Sequence, residues 1–223
     1  MKEVKKETEP LDTQPPSQRG DGPEGRGESP VRQSKKQGTT SAGATMKIIG
    51  LTGGIACGKS TVSTILKQLD ARILDADAMA HELMQPKQPL WNLYVSHWGE
   101  RILKPGGTLD RRAIGAIVFS DPAERQWLDS AAHPILLAEA QRRLDRFKKQ
   151  HTEVAVLDVP LLFESGWDRL CGEIWVASVS EDVQLQRLMA RNDWSEDEAR
   201  ARIAAQMPLA EKCARADVVL DNS

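Results

Sequence analysis

The chain has 223 residues, with 30 Lys and Arg against 32 Asp and Glu, a formal net charge of -2 and 40% hydrophobic residues. This length accommodates one α/β domain of ordinary size with small inserts, and excludes two large enzymes in tandem. The near balance of charge excludes a global field that would recruit nucleic acid or an anionic membrane, so a ligand has to be recognised locally.

Residues 1 to 45 contain no Ile, Phe, Trp, Tyr or Cys, and beyond Met1 and the alanines only Val4, Leu11 and Val31 are aliphatic. Such a stretch cannot bury enough apolar surface to fold, so a disordered N-terminal tail is expected. It lacks the apolar centre of a secretory signal, and Glu3, Glu7, Glu9 and Asp12 argue against an organelle transit peptide. Met46 would make a natural start for the folded part, residues 46–223. No later run of about twenty apolar residues predicts a membrane-spanning helix. Cys57, Cys171 and Cys213 are widely separated, odd in number and without metal-ligand spacing, which suits reduced thiols in a cytoplasmic protein.

The run KIIGLT, Lys47 to Thr52, predicts a short strand buried on both faces. Directly after it, Gly53, Gly58, Lys59 and Ser60 match Gly, any four residues, Gly, Lys, Ser or Thr. That pattern marks a loop whose backbone N–H groups wrap the phosphates of a nucleotide. By chance it would occur in about one in a hundred chains of this length, given ordinary Gly and Lys frequencies. Val62, Ile65, Leu66 and Leu69 then form one stripe of an amphipathic helix. Strand, loop and helix together make Gly53, Gly54, Ile55, Ala56, Cys57, Gly58, Lys59, Ser60 and Thr61 a candidate ATP-binding segment. Lys59 would reach the terminal phosphates and Ser60 would ligate Mg2+. Cys57 reads as a small residue filling the loop. Ala56 stands where many such loops carry Gly, and a positive φ there would cost about 1–2 kcal/mol.

A second strand, Arg72 to Asp75, runs into Ala76 and Asp77. Period-two geometry would turn the carboxylates of Asp75 and Asp77 into one space, one to orient an acceptor hydroxyl and take its proton, the other to help hold Mg2+. The alternative is a pair of solvated turn formers at a strand end. Pro86, Pro89 and Gly99 predict a turn-rich region, followed by helical patches over DRRAIGAIVF and ERQWLDSAAHP. A separate helix is expected from Pro134 onwards, with Leu137, Ala140, Leu144 and Phe147 on its buried face. This block interrupts the βα alternation and reads as an insert covering the acceptor side.

The alternation then resumes with strands in EVAVLDVP, EIWVASVS and DVVLDNS. Asp158, closing the first, reads either as an acid that holds Mg2+ through water or as a turn former ahead of Pro160. Ser180 predicts a helix N-cap, and Ser195 with Glu198 a capping box. Arg187 and Arg191, four apart, share a helix face that either meets phosphate or is merely solvated. Strands alternating with helices give an α/β fold with a parallel sheet and a ligand at the strands' C-terminal ends.

Taken together, GLTGGIACGKST, LDADAMAHEL, LDRRAIGAIVF with AAHP after it, LDVPLLFE, LQRLMARN, EDEARARIAAQM and ADVVLDNS resemble the dephospho-coenzyme A kinases in order and spacing. The resemblance spans Met46 to Ser223. It implies a phosphate-loop kinase core with five parallel strands, a helical acceptor insert over about residues 78–150 and a lid over about 181–207. The implied reaction moves the γ-phosphoryl of ATP, with Mg2+, to the ribose 3′-hydroxyl of dephospho-coenzyme A, the last step of coenzyme A biosynthesis. Asp77 matches the acid facing the acceptor ribose and Arg191 the lid arginine near the phosphates. His133, with Pro134, and Arg111 fall on acceptor-domain motifs. Leu136 and Leu137 stand where the pattern has an arginine shortly after the His-Pro pair. The family also continues into a C-terminal helix after the last strand, so a truncated form is expected.

Other small-metabolite or nucleoside-monophosphate kinases share the phosphate loop. A nucleotide-operated switch would need an Asn-Lys-x-Asp stretch, which the sequence lacks, and a scaffold built on the tail would leave the loop without a purpose. Deleting residues 1 to 45 should change neither melting temperature nor turnover measurably; a clear fall in thermal stability would show that the tail docks on the domain.

Overall fold

The structure is a computed structural model, and it describes residues 45–223. The tail expected to be disordered lies outside the described residues apart from its last one. Five strands, β1 (Lys47–Gly53), β2 (Arg72–Asp75), β3 (Val154–Asp158), β4 (Glu173–Ser178) and β5 (Val218–Asp221), form one sheet in the order β2-β3-β1-β4-β5. Every pairing is parallel. The chain crosses from β1 to the outer strand β2, returns to β3, and passes over β1 to β4. The central strand β1 is therefore where the winding reverses, the position at which open α/β sheets bind ligands.

β3 shows why the sheet is covered on both sides. Ala155 and Leu157 join Leu74 in packing against the helices of the insert, while Val156 faces the opposite way with Ile49 and Leu51. Successive side chains point to opposite faces, so a strand that is apolar on both faces needs two partners. The first face is met by α2 (Ala76–Leu83) and α5 (Pro122–Lys149), through Met79, Leu144 and Phe147. The second is met by α1 (Lys59–Gln68), through Val62 and Leu66. Only half of the expected α1 stripe is used. Ile65 and Leu69 are 49% and 71% exposed, because the face that meets the sheet runs through Val62 and Leu66 and leaves these two beside it.

Three expectations need correction. The region around Pro89 is helical: α3 runs Pro89–Trp98, with Pro89 in its first turn and Gly99 at its end with φ 72°. Proline is pre-organised for a helix start and glycine for its end, and Leu90, Tyr94 and Trp98 at i, i+4 and i+8 are the buried stripe that holds it. The two helical patches flanking Pro134 are one helix, the 28-residue α5, which follows α4 (Arg111–Ser120). Pro134 has no N–H for the carbonyl of Ser130, but Ser130 is exposed and water can donate to that carbonyl in place of the missing N–H. Finally, β2 stops at Asp75 and α2 begins at Ala76, so Asp77 belongs to a helix and not to the strand.

Between β4 and β5 lie α6 (Glu181–Asn192), α7 (Glu196–Ala204) and α8 (Leu209–Ala214). Ser180 caps α6 by accepting from Val183 N, and Ser195 with Glu198 forms the complete capping box at α7, both as their sequence signals indicate.

Candidate active site

β1 ends at Gly53 against the carbonyl of Ala177 on β4, where a Cβ would lie 2.6 Å from that oxygen. The chain then turns through Gly54–Cys57 and enters α1 at Gly58, which has φ 81° and ψ 24°. Gly58 is required twice over, since this is a left-handed conformation and a Cβ would meet the Asn222 side-chain amide. Asn222, just beyond β5, donates from Nδ2 to the Cys57 carbonyl at 3.1 Å and so ties the last strand to the loop. Ala56 also takes a positive φ, 61°, at a cost of about 1–2 kcal/mol relative to glycine. Its neighbour Ile55 is held on both sides. Ile55 N donates to Gln206 Oε1 at 3.2 Å, and Gln184 Nε2 donates to the Ile55 carbonyl at 2.8 Å. These bonds fix the strained turn from outside.

The start of α1 differs from most of the other helices. Asp75, Asp110, Asp121, Ser180 and Ser195 cap α2, α4, α5, α6 and α7 through side-chain oxygens. No side chain caps α1, and its first turn contains no acidic residue. Its leading N–H groups and the positive end of its dipole therefore face a cleft of about 510 Å³. Around that cleft stand the loop from Gly53 to Ser60, with Asp77, Pro160, Arg187, Arg191 and Gln206.

Lys59 forms an ion pair with Asp158, which closes β3 and is only 3% exposed. The sequence left Asp158 between an acid that holds Mg2+ through water and a turn former, and the structure pairs it with the loop lysine. Asp77 lines the cleft from the first turn of α2. Although Asp77 is accessible to solvent, the cleft wall takes part of its hydration, and this desolvation pushes its carboxyl above the usual aspartate range. Lys59 opposes the rise, and the neighbouring carboxylates of Asp75 and Asp158 add to it.

Asp75 is placed otherwise than period-two geometry suggests. Its Oδ1 accepts from Ala78 N at 3.0 Å as the N-cap of α2. Asp75 and Asp77 thus sit at a cap and in a first helical turn, and their carboxylates are not alternate positions of one strand. Thr61 lies one residue beyond the cleft-lining part of the loop, with its N–H bonded to the Gly58 carbonyl at 2.9 Å. Cys57 is fully buried, and burial pushes its thiol up, so it packs and is poorly ionised. Arg111, exposed in the first turn of α4, does not line this cleft. Nor does His133, which sits inside α5 and not at a helix entry; its Nε2 is 2.9 Å from the Ser165 carbonyl and 3.2 Å from Trp167 Nε1. His133 also lines a second concavity of about 670 Å³ with Arg125, Gln126 and Asp129. Leu136 and Leu137 pack against the core. Gln206 and Asn222 fall within family-resembling stretches and Gln184 outside them, but no sequence rule singled out any of the three, because an isolated amide side chain has no periodicity to mark it.

A parallel sheet whose central strand feeds a glycine-rich Gly-Lys-Ser turn, with an uncapped helix start and flanking Lys, Asp and Arg side chains, defines a phosphate-loop kinase. Within that class, residues 47–223 match the family model described as dephospho-CoA kinase. Proteins named dephospho-CoA kinase from Symbiobacterium thermophilum and Carboxydothermus hydrogenoformans are 49% and 48% identical, over 79% and 80% of this chain and 74% and 86% of theirs. Among solved structures, TT1252 from Thermus thermophilus superposes with a TM-score of 0.68 at 35% identity, over 80% of this chain and 89% of that one. The dephospho-CoA kinase from Campylobacter jejuni gives a TM-score of 0.62 at 28% identity, with the same coverage. The chain belongs to the dephospho-CoA kinase family.

Replacing Asp75 by Ala should destabilise the domain by about 0.5–2 kcal/mol, since the cap is lost, whereas Asn, itself a good N-cap, should retain most of that stability. Thermal melts of the two variants test this; an unperturbed Ala variant would remove the cap from the account of β2 and α2.

Proposed function

We propose that this chain transfers the γ-phosphoryl group of ATP to the ribose 3′-hydroxyl of dephospho-coenzyme A, giving coenzyme A and ADP in the last step of coenzyme A biosynthesis. The observation that carries the reading is the cleft itself. In a member of this family, one space holds an open helix start for the phosphates and, from a different element, the carboxylate of Asp77 for a hydroxyl. Phosphoryl transfer asks little covalent chemistry of a protein, so positioning and charge account for the catalysis.

In this reading the loop from Gly53 to Thr61 holds the ATP phosphates through backbone N–H groups, and Lys59 bears on the terminal phosphate. Lys59 pairs with Asp158, which holds the ammonium within the cleft. Arg191, with Arg187 beside it, offers guanidinium groups to the charge spread over the transferring phosphoryl oxygens. Both stand on α6, which together with α7 we assign as the lid, about residues 181–207. The helices over about residues 78–150 form the acceptor insert. There we assign Arg111 and His133 to the acceptor's side; the concavity beside Arg125 and His133 supports the assignment of His133.

Mg2+ suits the donors at hand, since the exposed Ser60 hydroxyl and the Asp158 carboxylate are hard oxygen ligands of the kind this ion takes alongside phosphate and water. Held there, it would supply positive charge that neutralises the phosphates. With Oδ1 engaged in the cap, Asp75 has its other oxygen left for the ion's water shell. We place this activity in the cytoplasm, where three free cysteines stay reduced. No helix among the described residues is long and apolar enough to cross a membrane.

Incubation of the chain with ATP, Mg2+ and dephospho-coenzyme A should yield coenzyme A by mass; the absence of product with this acceptor would overturn the reading. Asp77→Asn should lower kcat by about 10²-fold or more while ADP affinity stays near wild type, because the amide keeps the shape and loses the base. Asp77 acts when ionised, and its carboxyl is held above the ordinary range, so wild-type kcat should fall as pH is lowered through that raised value. This acid limb should be absent from the pH profile of Asp77→Asn. Asp75→Asn should cost less and act mainly through Mg2+ dependence; the reverse order of damage would exchange the two roles.

A further inference from the structure

α8 buries a full ammonium group. Lys212 is 0% exposed, with Nζ 3.0 Å from the Pro160 carbonyl and 2.9 Å from Glu164 Oε1. The same Glu164 oxygen accepts from Met207 N at 3.1 Å, and the same Pro160 carbonyl accepts from Thr52 Oγ1 at 2.9 Å. Burial pushes the Glu164 carboxyl up, but the bonds from Lys212 and from backbone N–H groups more than offset this, and it stays ionised below the ordinary glutamate range. A buried ion pair is weak evidence for stability, because apolar residues of similar volume often serve as well. What such a pair supplies is a single arrangement of the segments it joins.

Those segments are informative. Thr52 immediately precedes Gly53, where the phosphate loop begins. Pro160 lines the cleft two residues after Asp158. Met207 immediately follows Gln206, which lines the cleft and holds the Ile55 N–H. Pro160, Thr52 and Met207, bound to Lys212 directly or through one intermediary, are therefore each a cleft residue or next to one, on three different parts of the chain, and Glu164, four residues beyond Pro160, is the link to Met207. Resting on the transfer reaction assigned above, we propose that Lys212 is a positioning residue. Its ammonium locks the root of the lid to the loop that follows Asp158, and so sets the register in which the lid arginines meet the phosphates.

The test compares kcat per ADP-binding site, obtained from turnover and from titration with ADP on the same preparation of the full chain. Lys212→Met removes the charge and keeps a similar volume. It should lower kcat per site by about tenfold or more, as small misplacements of catalytic groups do, with the Kd for ADP changed by less than about threefold. A purely structural lysine would lower the melting temperature or the number of binding sites and leave kcat per site intact; a value within about twofold of wild type would sink the proposal. Glu164→Ala removes the other half of the tether and should give a comparable loss, which decides the matter alone if Lys212→Met does not fold. In the double variant the two losses should not multiply, and multiplication would show that the residues act independently. Hydrogen exchange on the ADP complex separates this proposal from the choice of acceptor. Lys212→Met should raise exchange in peptides covering residues 160–166 and 205–208 while residues 53–61 stay protected. Unchanged exchange in the first two overturns the tether even for an enzyme that phosphorylates something else.

Discussion

The organisation of this domain depends on one helix end left open. A helix start carries unpaired N–H groups and about half a unit of positive charge, and the usual remedy is a side-chain cap. Here five helices take that remedy, whereas α1, like α3 and α8, does not, and of these three it is α1 whose start lines the cleft. Its position at the end of the central strand, where the winding of the sheet reverses, surrounds the open end with the termini of other strands. Asp158 arrives from β3, the turn into α2 from β2, and Asn222 from beyond β5. Asp158 pairs with Lys59 and Asp77 lines the space in front of that positive helix end, while Asn222 holds the loop beside it.

Holding such a loop open has a structural cost, and the surrounding chain meets it in identifiable ways. Gly58 and Ala56 both take left-handed conformations, one without steric penalty and one with it. Gln184 and Gln206 grip the peptide groups of Ile55 from α6 and from the segment following α7, so the helices assigned as a lid are already bonded to the loop they would close upon. Strain at a binding loop persists only where its neighbours over-determine it, and the Gln184, Gln206 and half-buried Asn222 amides serve that purpose. The charges follow the same logic. Lys59 is kept in place by a buried carboxylate, while Asp77 is desolvated beside two other acids, which makes its carboxyl a stronger base than a free aspartate.

Much of this was legible along the chain. The phosphate loop, all five strands and the caps at Ser180 and Ser195 rest on local rules: glycine at forced backbone angles, β-branched runs between turn residues, and oxygens at helix starts. Family resemblance added the acceptor and singled out Asp77 and Arg191. Local rules failed where tertiary contacts outweigh them. Pro89, Pro134 and Gly99 look like breaks, yet Pro89 starts a helix, Pro134 sits inside one where the residue whose carbonyl it leaves without an N–H, Ser130, is exposed, and Gly99 only closes α3. The pair at Asp75 and Asp77 misled because a strand and a helix place residues i and i+2 differently, and which of the two continues past Asp75 depends on Met79 and Leu83 finding the core of the insert.

The sequence by itself thus determined that a phosphate-binding loop sits between a buried strand and a helix in an α/β kinase of this family, because those features depend on residues a few positions apart. Only the tertiary structure decided which distant side chains complete the cleft. Lys59 with Asp158, Ile55 with Gln184 and Gln206, and Lys212 with Glu164 and Pro160 are separated by tens to more than a hundred positions along the chain. No spacing rule reaches that far, since such partners meet only when a parallel sheet carries the ends of its strands to one edge.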